Sequence, residues 1–504
     1  MNLAHIIDDH AADRVAIISR GRPTTYGQLR DQVAHVRGGL QALGLGKGDR
    51  IALLCGNGRY FVELYLAALG LGAVSVPLNP GSPGPEIERE LRTVTPKVVV
   101  VEPAAAHAWS RINRAALASI EHVVCTEPGT VDGADSVFDD LLAGEPTPII
   151  DVAADDLAAL IFTSGTAGSP RAAMLSHGNL LSNLDQSSST DGIRADDVVY
   201  GVLPLFHIFG LNVVIGLGLA RGATLVLVQR FDPFTALETI RERKVTIIPG
   251  APPLWLAFSH MIDVKSADVD VAPADSFANV RLALTGAAKM PEEAMRRLHE
   301  RFGLTLLEGY GLTEASPVVT SSAGMEVRVG SVGKVLDGIQ VRLIDEEGND
   351  ALQGDAGEIW VKGPNVFQGY LNEPEATARV LTPDGWLRTG DIAVVDDDGY
   401  LYLVDRAKDL IIVSGFNVYP AEVEEVLLEH PDVGEVGVVG VPHPHTGEAV
   451  KAFVVLKSGA RAHEDSLVSW CLDNLARYKC PSKIVFVDEL PRNVSGKLLR
   501  RSLI

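Results

Sequence analysis

Positive charge is in short supply in this chain: 44 lysines and arginines face 65 aspartates and glutamates, a formal net charge of −21. A surface of that sign repels polyanions, which excludes sequence-independent binding of DNA or RNA. An anionic substrate must then be held by a few locally placed cations. Cysteine is scarce as well. Cys55, Cys125, Cys471 and Cys480 are scattered rather than set at metal-ligand spacing, and only the last two share a helical region. Free thiols in a reducing cytosol fit that usage. The start, MNLAHIIDDHAAD, carries acids where a signal peptide has a basic end and an apolar core, so a cytoplasmic location is expected. No G-x-x-x-x-G-K-[ST] loop occurs, which excludes a P-loop. Only one uncharged run approaches membrane-spanning length, Val198–Ala220. It contains Pro204, His207, Asn212 and four glycines, and reads as a buried strand and helix beside a ligand pocket. No transmembrane span is therefore expected, although the composition leaves room for peripheral membrane contact and for a homo-oligomer.

At 504 residues the chain is too long for one core. Its first half alternates helix-like and strand-like segments. Tyr26–Leu43 has helical spacing and ends at Gly44, Ile51–Cys55 is a short apolar strand, Phe61–Leu71 a helix, and Ala73–Pro77 and Lys97–Val101 are strands. The pattern recurs at Ala223–Val228, Phe234–Arg243, Val245–Ile248 and Leu282–Thr285. Alternating β and α units imply parallel-rich sheets flanked by helices. After Gly330 the texture changes: Val341–Asp345, Glu358–Lys362 and a hairpin over Ile392–Val404 look antiparallel. From Pro420 a helix, two strands and a further helix follow, enough for a small separate unit. The expected fold is thus α/β. A large N-terminal domain (1–404) of parallel-rich sheets carries a small antiparallel β region. A polar hinge over 405–409 (DRAKD) leads to a small mobile α+β C-terminal domain (410–504).

Five segments carry chemistry. Phe162–Arg171 (FTSGTAGSPR) puts four hydroxyls, two glycines, a proline and a cation directly after an apolar strand. Glycines let a backbone wrap a large anion and the hydroxyls donate to it, so a polyphosphate is the expected ligand. Leu203–His207 (LPLFH) places a histidine at the end of an apolar strand, where alone it would be a core residue. Glu308–Glu314 (EGYGLTE) combines an aromatic face, close-approach glycines, a hydroxyl and a carboxylate, which suits stacking a base and holding Mg2+ through oxygen. Asp391 with the Asp405-Arg406 pair supplies an acid and a base for ribose hydroxyls. Pro491–Lys497 (PRNVSGK) ends on a lysine in a glycine-containing turn.

In order and residues these segments resemble the adenylate-forming superfamily of acyl-CoA synthetases, luciferases and peptide-synthetase adenylation domains, over nearly the whole chain. The resemblance implies a two-step reaction that uses ATP, Mg2+ and CoA. A small-molecule carboxylic acid attacks the α-phosphate of ATP, giving acyl-adenylate and pyrophosphate, and a thiol then takes the acyl group. It further implies that Thr163, Ser164, Gly165, Thr166, Gly168 and Arg171 embrace the β- and γ-phosphates. Thr163 and Glu314 would hold Mg2+, and Thr313 would contact the α-phosphate. Gly286, Ala287, Ala288, Glu308, Gly309 and Tyr310 would line the adenine, with Asp391 and Arg406 on the ribose. His207 would sit by the substrate carboxylate, and Lys497 would bridge that carboxylate and the α-phosphate. Rotation about Lys408 would bring Ser414, Gly415 and Phe416 to the site as the CoA-binding segment.

The acid-binding residues expected from the same resemblance are Phe206, Phe209, Gly311, Leu312, Pro317 and Val318. This surface is apolar, and Leu205–Gly210 contains no aspartate to hold an amino group, so a fatty or aryl acid is favoured over an amino acid. The phosphate loop departs from the family pattern at Ala167, where a second Thr is usual, and at Arg171, where Lys is usual. One hydroxyl is lost, but a cation is kept. Two other readings stand beside acid–CoA ligase: an acyl-AMP ligase that loads a carrier protein, and a non-catalytic acyl or nucleotide sensor.

Overall fold

A computed structural model describes all residues except 164–169, 189–191, 262–272, 288–289, 291, 346, 407–410, 458, 492–502 and 504. Among the described residues a seven-stranded sheet runs in the order Ser136–Val137, His122–Cys125, Val98–Val101, Arg50–Leu54, Val74–Pro77, Leu157–Thr163, Arg171–Ser176. Its strands are parallel except for the last pair. A nine-stranded sheet has a parallel centre, through Leu306–Gly311, Leu282–Thr285, Ile247–Gly250, Val198–Gly201 and Thr224–Leu227, and antiparallel strands at both ends. The four strands between Gln340 and Arg406 form an antiparallel meander, as their alternating pattern predicts. A five-stranded sheet drawn wholly from residues 411–486 is the fourth and last.

Helix Arg59–Gly70 explains how the two large sheets are joined. Ten of its twelve residues are buried, from Phe61 to Gly70, and a helix apolar all round belongs in an interior. One cluster unites its Phe61, Tyr65 and Leu66 with Ile17 and Leu225 of the nine-stranded sheet and Ile51 and Val100 of the seven-stranded one. Each such side chain contributes about 1.5–3 kcal/mol by leaving water. The neighbouring helix Tyr26–Ala42 begins at Thr25 with a reciprocal capping box to Gln28. Its Gly38 and Gly39 are required by close approach: a Cβ on Gly38 would meet Glu145 O at 1.7 Å, and one on Gly39 would meet Leu141 at 2.4 Å.

One expectation needs correction. His207 is not at a strand end. The strand stops at Gly201, and His207 lies six residues on, in a turn where its N–H donates to Pro204 O at 3.1 Å. Pro204 has no N–H to extend a ladder. Asn57 takes over the bonding instead, donating to Gly201 O (3.1 Å) and Leu203 O (2.8 Å) and accepting from Leu205 N (3.0 Å). At the expected joint, Asp405 and Arg406 close the strand Leu401–Arg406, opposite Ile392 and Asp391. Lys408 lies outside the described residues.

The uncharged run Val198–Ala220 forms a buried strand followed by a π-helix, Phe209–Leu217, and a short α-turn. Widened turns of this kind concentrate at functional sites. Gly210 lets it press against the His207 turn, since a Cβ there would stand 2.1 Å from Pro204 O. No helix among the described residues is long and apolar enough to cross a membrane.

Candidate active site

The phosphate-loop segment leaves and re-enters the seven-stranded sheet as a hairpin, with Thr163 directly opposite Arg171. Ser164, Gly165, Thr166 and Gly168 lie outside the described residues, as do Ala288 and Lys497. Arg171 is 8% exposed. Its Nε stands 3.5 Å from Glu373 Oε2, and its guanidinium lies 5.5 Å from the centre of the Tyr370 ring. Tyr370 in turn donates to Glu314 Oε1 at 2.7 Å. The segment bearing Tyr370 is held along Arg171–Ser176 by Met174 N to Gly369 O and Leu371 N to Ala172 O, both 2.9 Å. Burial pushes the Glu314 carboxyl above its ordinary range, and the Tyr370 bond opposes that. Burial and Glu314 together push the Tyr370 hydroxyl up, so Tyr370 stays a hydrogen-bond donor. Tyr370 and Glu373 carry no motif of their own, and sequence reasoning missed them.

His207 is held in one tautomer. Its Nδ1 accepts from the Phe209 N–H at 3.2 Å, which leaves the ring hydrogen on Nε2. Burial lowers its pKa to about 4, so the ring is neutral at pH 7 and offers a single N–H donor. Phe416 meets it edge-on at 5.9 Å. Phe416 also stacks on Phe206 at 6.5 Å and on Tyr478 at 4.4 Å. The Ser414–Phe416 turn thus reaches the histidine. Ser414 (φ 57°) and Gly415 (φ 83°) are both left-handed, and a Cβ on Gly415 would stand 2.9 Å from Ala251 Cβ and 3.6 Å from Ala287 Cβ.

Thr163, Phe206, His207, Thr313, Glu314 and Phe416 line one solvent-open cleft, which Leu312 also borders. A second group adjoins it, with Asp391 and Tyr310 close enough to Glu314 to feel its charge. Tyr310 donates to Asp391 Oδ2 at 2.7 Å, and Asp391 pairs in register with Arg406. Glu308 Oε1 accepts from Met290 N at 3.5 Å. Gly286 leaves room for the Phe209 ring, 3.5 Å from where a Cβ would sit and equally close to Gly309 O, and Ala287 is left-handed at φ 68°. The strand Leu306–Gly311 leads directly from this group to Thr313 and Glu314 in the cleft. Among the described residues Phe209, Gly311, Pro317 and Val318 are not part of the cleft lining. Gly311, Pro317 and Val318 adjoin it at Leu312, whose N–H donates to Pro317 O at 3.0 Å, and Phe209 at His207. Gly311 is required there, since a Cβ would meet the same oxygen at 2.1 Å.

Two family models match, "AMP-binding enzyme" over residues 4–371 and "AMP-binding enzyme C-terminal domain" over residues 422–497. The chain belongs to the AMP-binding enzyme family. It is 37% identical to a feruloyl-CoA synthase of Amycolatopsis sp, over 96% of this chain and 94% of that protein. A long-chain-fatty-acid–CoA ligase of Bacillus subtilis is 34% identical, over 100% and 94%. Among solved structures, the amide bond synthetase McbA of Marinactinospora thermotolerans has a TM-score of 0.88 at 30% identity, covering 100% of this chain and 99% of that one. A double mutant of the o-succinylbenzoate CoA synthetase of Bacillus subtilis bound with its product analogue OSB-NCoA has a TM-score of 0.85 at 30% identity, over 100% and 98%. As a member of this family the chain is an AMP-forming acid–thiol ligase with ATP, Mg2+ and CoA as its small-molecule reactants.

The side chains suit Mg2+. Glu314 and Thr163 offer oxygen donors in one cleft, and no group of three or more His, Cys, Asp or Glu forms a cage among the described residues. Mg2+ keeps most of its shell as water and substrate phosphate and needs only one or two protein oxygens.

Proposed function

We propose that this enzyme activates a fatty or aryl carboxylic acid and passes the acyl group to CoA in the cytoplasm. The observation that carries the reading is the single cleft shared by Thr163, Thr313, Glu314, His207 and Phe416. In our reading Thr163, the loop 164–168 and Arg171 bind the β- and γ-phosphates, while Thr313 donates to the α-phosphate. Glu314, oriented by Tyr370, and Thr163 hold Mg2+, which supplies charge neutralisation to the phosphates when bound. Tyr310 stacks on adenine between Gly286–Ala288 and Glu308–Gly309, and Asp391 with Arg406 accepts and donates to the ribose hydroxyls. The neutral His207 donates from Nε2 to the substrate carboxyl without adding a competing cation.

Lys497 is then the cation that meets the attacking carboxylate and the α-phosphate. Leu490 and Leu503, which flank it in the sequence, are buried against Val439 and Phe453 of the last sheet, and in our reading the lysine travels with the C-terminal unit. That unit, 410–504, turns about Lys408 within the 405–409 joint relative to residues 1–404. Once pyrophosphate has left, Ser414, Gly415 and Phe416 come to the site and guide the CoA thiol toward the acyl carbonyl.

The acid itself meets Phe206, Phe209, Gly311, Leu312, Pro317 and Val318, none of which carries a charge. The names of the relatives, feruloyl-CoA synthase and long-chain-fatty-acid–CoA ligase, support the same choice. A series of straight-chain acids measured with ATP and CoA tests it. Each CH2 that enters the site contributes about 0.8 kcal/mol, so kcat/KM is expected to rise about fourfold per carbon until the site fills. A short dicarboxylate that outperforms every monoacid and hydroxycinnamate would contradict the assignment.

A further inference from the structure

The segment 476–479 reaches helix Gly84–Val94 of the large unit at a buried knot of four charged side chains. Lys479 Nζ donates to Glu86 Oε1 at 2.6 Å and to Glu422 Oε1 at 2.8 Å. Ala476 N donates to Glu86 Oε2 at 2.6 Å. Glu90, one helical turn beyond Glu86, is buried with them, and none of the four is more than 8% exposed. Glu90 Oε2 and Glu422 Oε2 have no hydrogen-bond partner among the described residues. Three carboxylates against one ammonium leave negative charge that burial does not tolerate, and the relief is to keep a proton.

The surroundings push both Glu90 and Glu422 toward the protonated form. Facing Glu90 are Glu86 and Arg89 from its own helix, Glu422 from helix Pro420–Leu428, and Tyr478 and Lys479 from the turn Arg477–Lys479. Burial, and then Glu86, push the Glu90 carboxyl up to about 8. Burial also pushes Glu422 up. Burial alone would lower Lys479, but Glu86 and Glu422 hold it above its ordinary value.

The knot is one residue from the thiol-step machinery, because Tyr478 stacks on Phe416 and Phe416 meets His207. Whole-chain similarity runs the same way. The ternary product complex of a malonyl-CoA ligase with methylmalonyl-CoA and AMP has a TM-score of 0.83 at 31% identity, against 0.73 at 34% for ATP-bound MatB from Rhodopseudomonas palustris.

We propose that Glu86, Glu90, Glu422 and Lys479 form a proton-loaded clamp that locks the C-terminal unit in the thiol-transfer arrangement and positions Phe416 and Tyr478 there. The proposal rests on the two-step reading above. Glu86, Glu90 and Lys479 also border the cleft that holds Thr163, His207 and Glu314, and the role assigned to them is to position, not to react. With the units apart, Glu90 on an open helix face returns toward the ordinary 4.5, and on closing it moves to about 8. Closing therefore takes up a proton between those values. The clamp is strongest at low pH, weakens as pH rises through that window, and levels off above it.

The test measures two half-reactions on the full chain: pyrophosphate release from acid and ATP, and CoA transfer from supplied acyl-adenylate. Lys479→Met and Glu86→Gln, on opposite sides of the knot, are each expected to slow CoA transfer by about 30-fold or more. Pyrophosphate release should change by less than about twofold in both, which also shows that they fold. Glu90→Gln carries a neutral stand-in for the protonated acid. Its CoA-transfer rate divided by that of the wild type should rise with pH, by up to about tenfold per unit below pH 8, with the thiol's own ionisation cancelling. A flat ratio, unchanged CoA transfer in both other variants, or equal loss of both half-reactions would overturn the clamp. Hydrogen exchange of residues 84–94 gives a readout that needs no turnover: faster exchange in Lys479→Met is expected, and unchanged protection would also overturn it. A wild type that releases no pyrophosphate with any acid would fault the two-step reading instead.

Discussion

Lys497→Ala is expected to lower acyl-adenylate formation by about 10³-fold while leaving CoA transfer from supplied acyl-adenylate within a few-fold of wild type. Negative charge builds on the α-phosphate and on the incoming carboxylate oxygen as the P–O bond forms. A cation placed between them is worth most at that moment, and alanine leaves nothing in its place. In the second step no phosphorus bond is made, and on the proposed rotation the lysine leaves with the C-terminal unit. Separate assays of pyrophosphate release and of thioester formation check the split. Equal loss in both would mean that Lys497 supports the fold or the binding of adenylate, and not the chemistry assigned to it.

Gly415→Leu is expected to have the reverse effect, cutting CoA transfer by at least about 100-fold with acid activation retained within a few-fold. The backbone at Gly415 has φ 83°, and a first side-chain carbon already falls 2.9 Å from Ala251 Cβ. A left-handed residue with a branched side chain is strained even in open space. Here the added atoms must also displace the Ala251 and Ala287 walls or hold the turn away from them. Phe416 then loses its place between Phe206 and Tyr478, and the thiol route beside His207 loses its guide. Gly415→Ala, which adds only the first carbon, is expected to fall between wild type and leucine. Equal CoA transfer in all three proteins would show that this close approach has no part in the second step.

Much of this was legible along the chain because it is local. Leu282–Thr285 is a strand at the residues its apolar run marks, and the helix foreseen at Tyr26–Leu43 ends within a residue of that span. The Thr163–Arg171 and Glu308–Glu314 motifs announce themselves by composition. What was not legible depends on partners far apart in sequence. Tyr370 matters because it bonds Glu314, 56 residues away. Lys479 matters because Glu86 lies 393 residues before it, and a lone lysine after a helix reads as a solvated charge. His207 was misplaced because Asn57, 148 residues before Leu205, takes over bonding that Pro204 breaks. The π-helical winding of Phe209–Leu217 has no sequence period that separates it from an ordinary buried helix.

The central claim is that one cleft makes an acyl-adenylate and then hands its acyl group to CoA. Its most direct test is the stoichiometry of pyrophosphate, AMP and acyl-CoA over a panel of fatty, hydroxycinnamic, dicarboxylic and amino acids, with and without CoA. The account predicts equal amounts of all three products with a fatty or aryl acid, and without CoA only a single-turnover burst of pyrophosphate. Steady pyrophosphate release with no acyl-CoA formed, or no release with any acid, would contradict it.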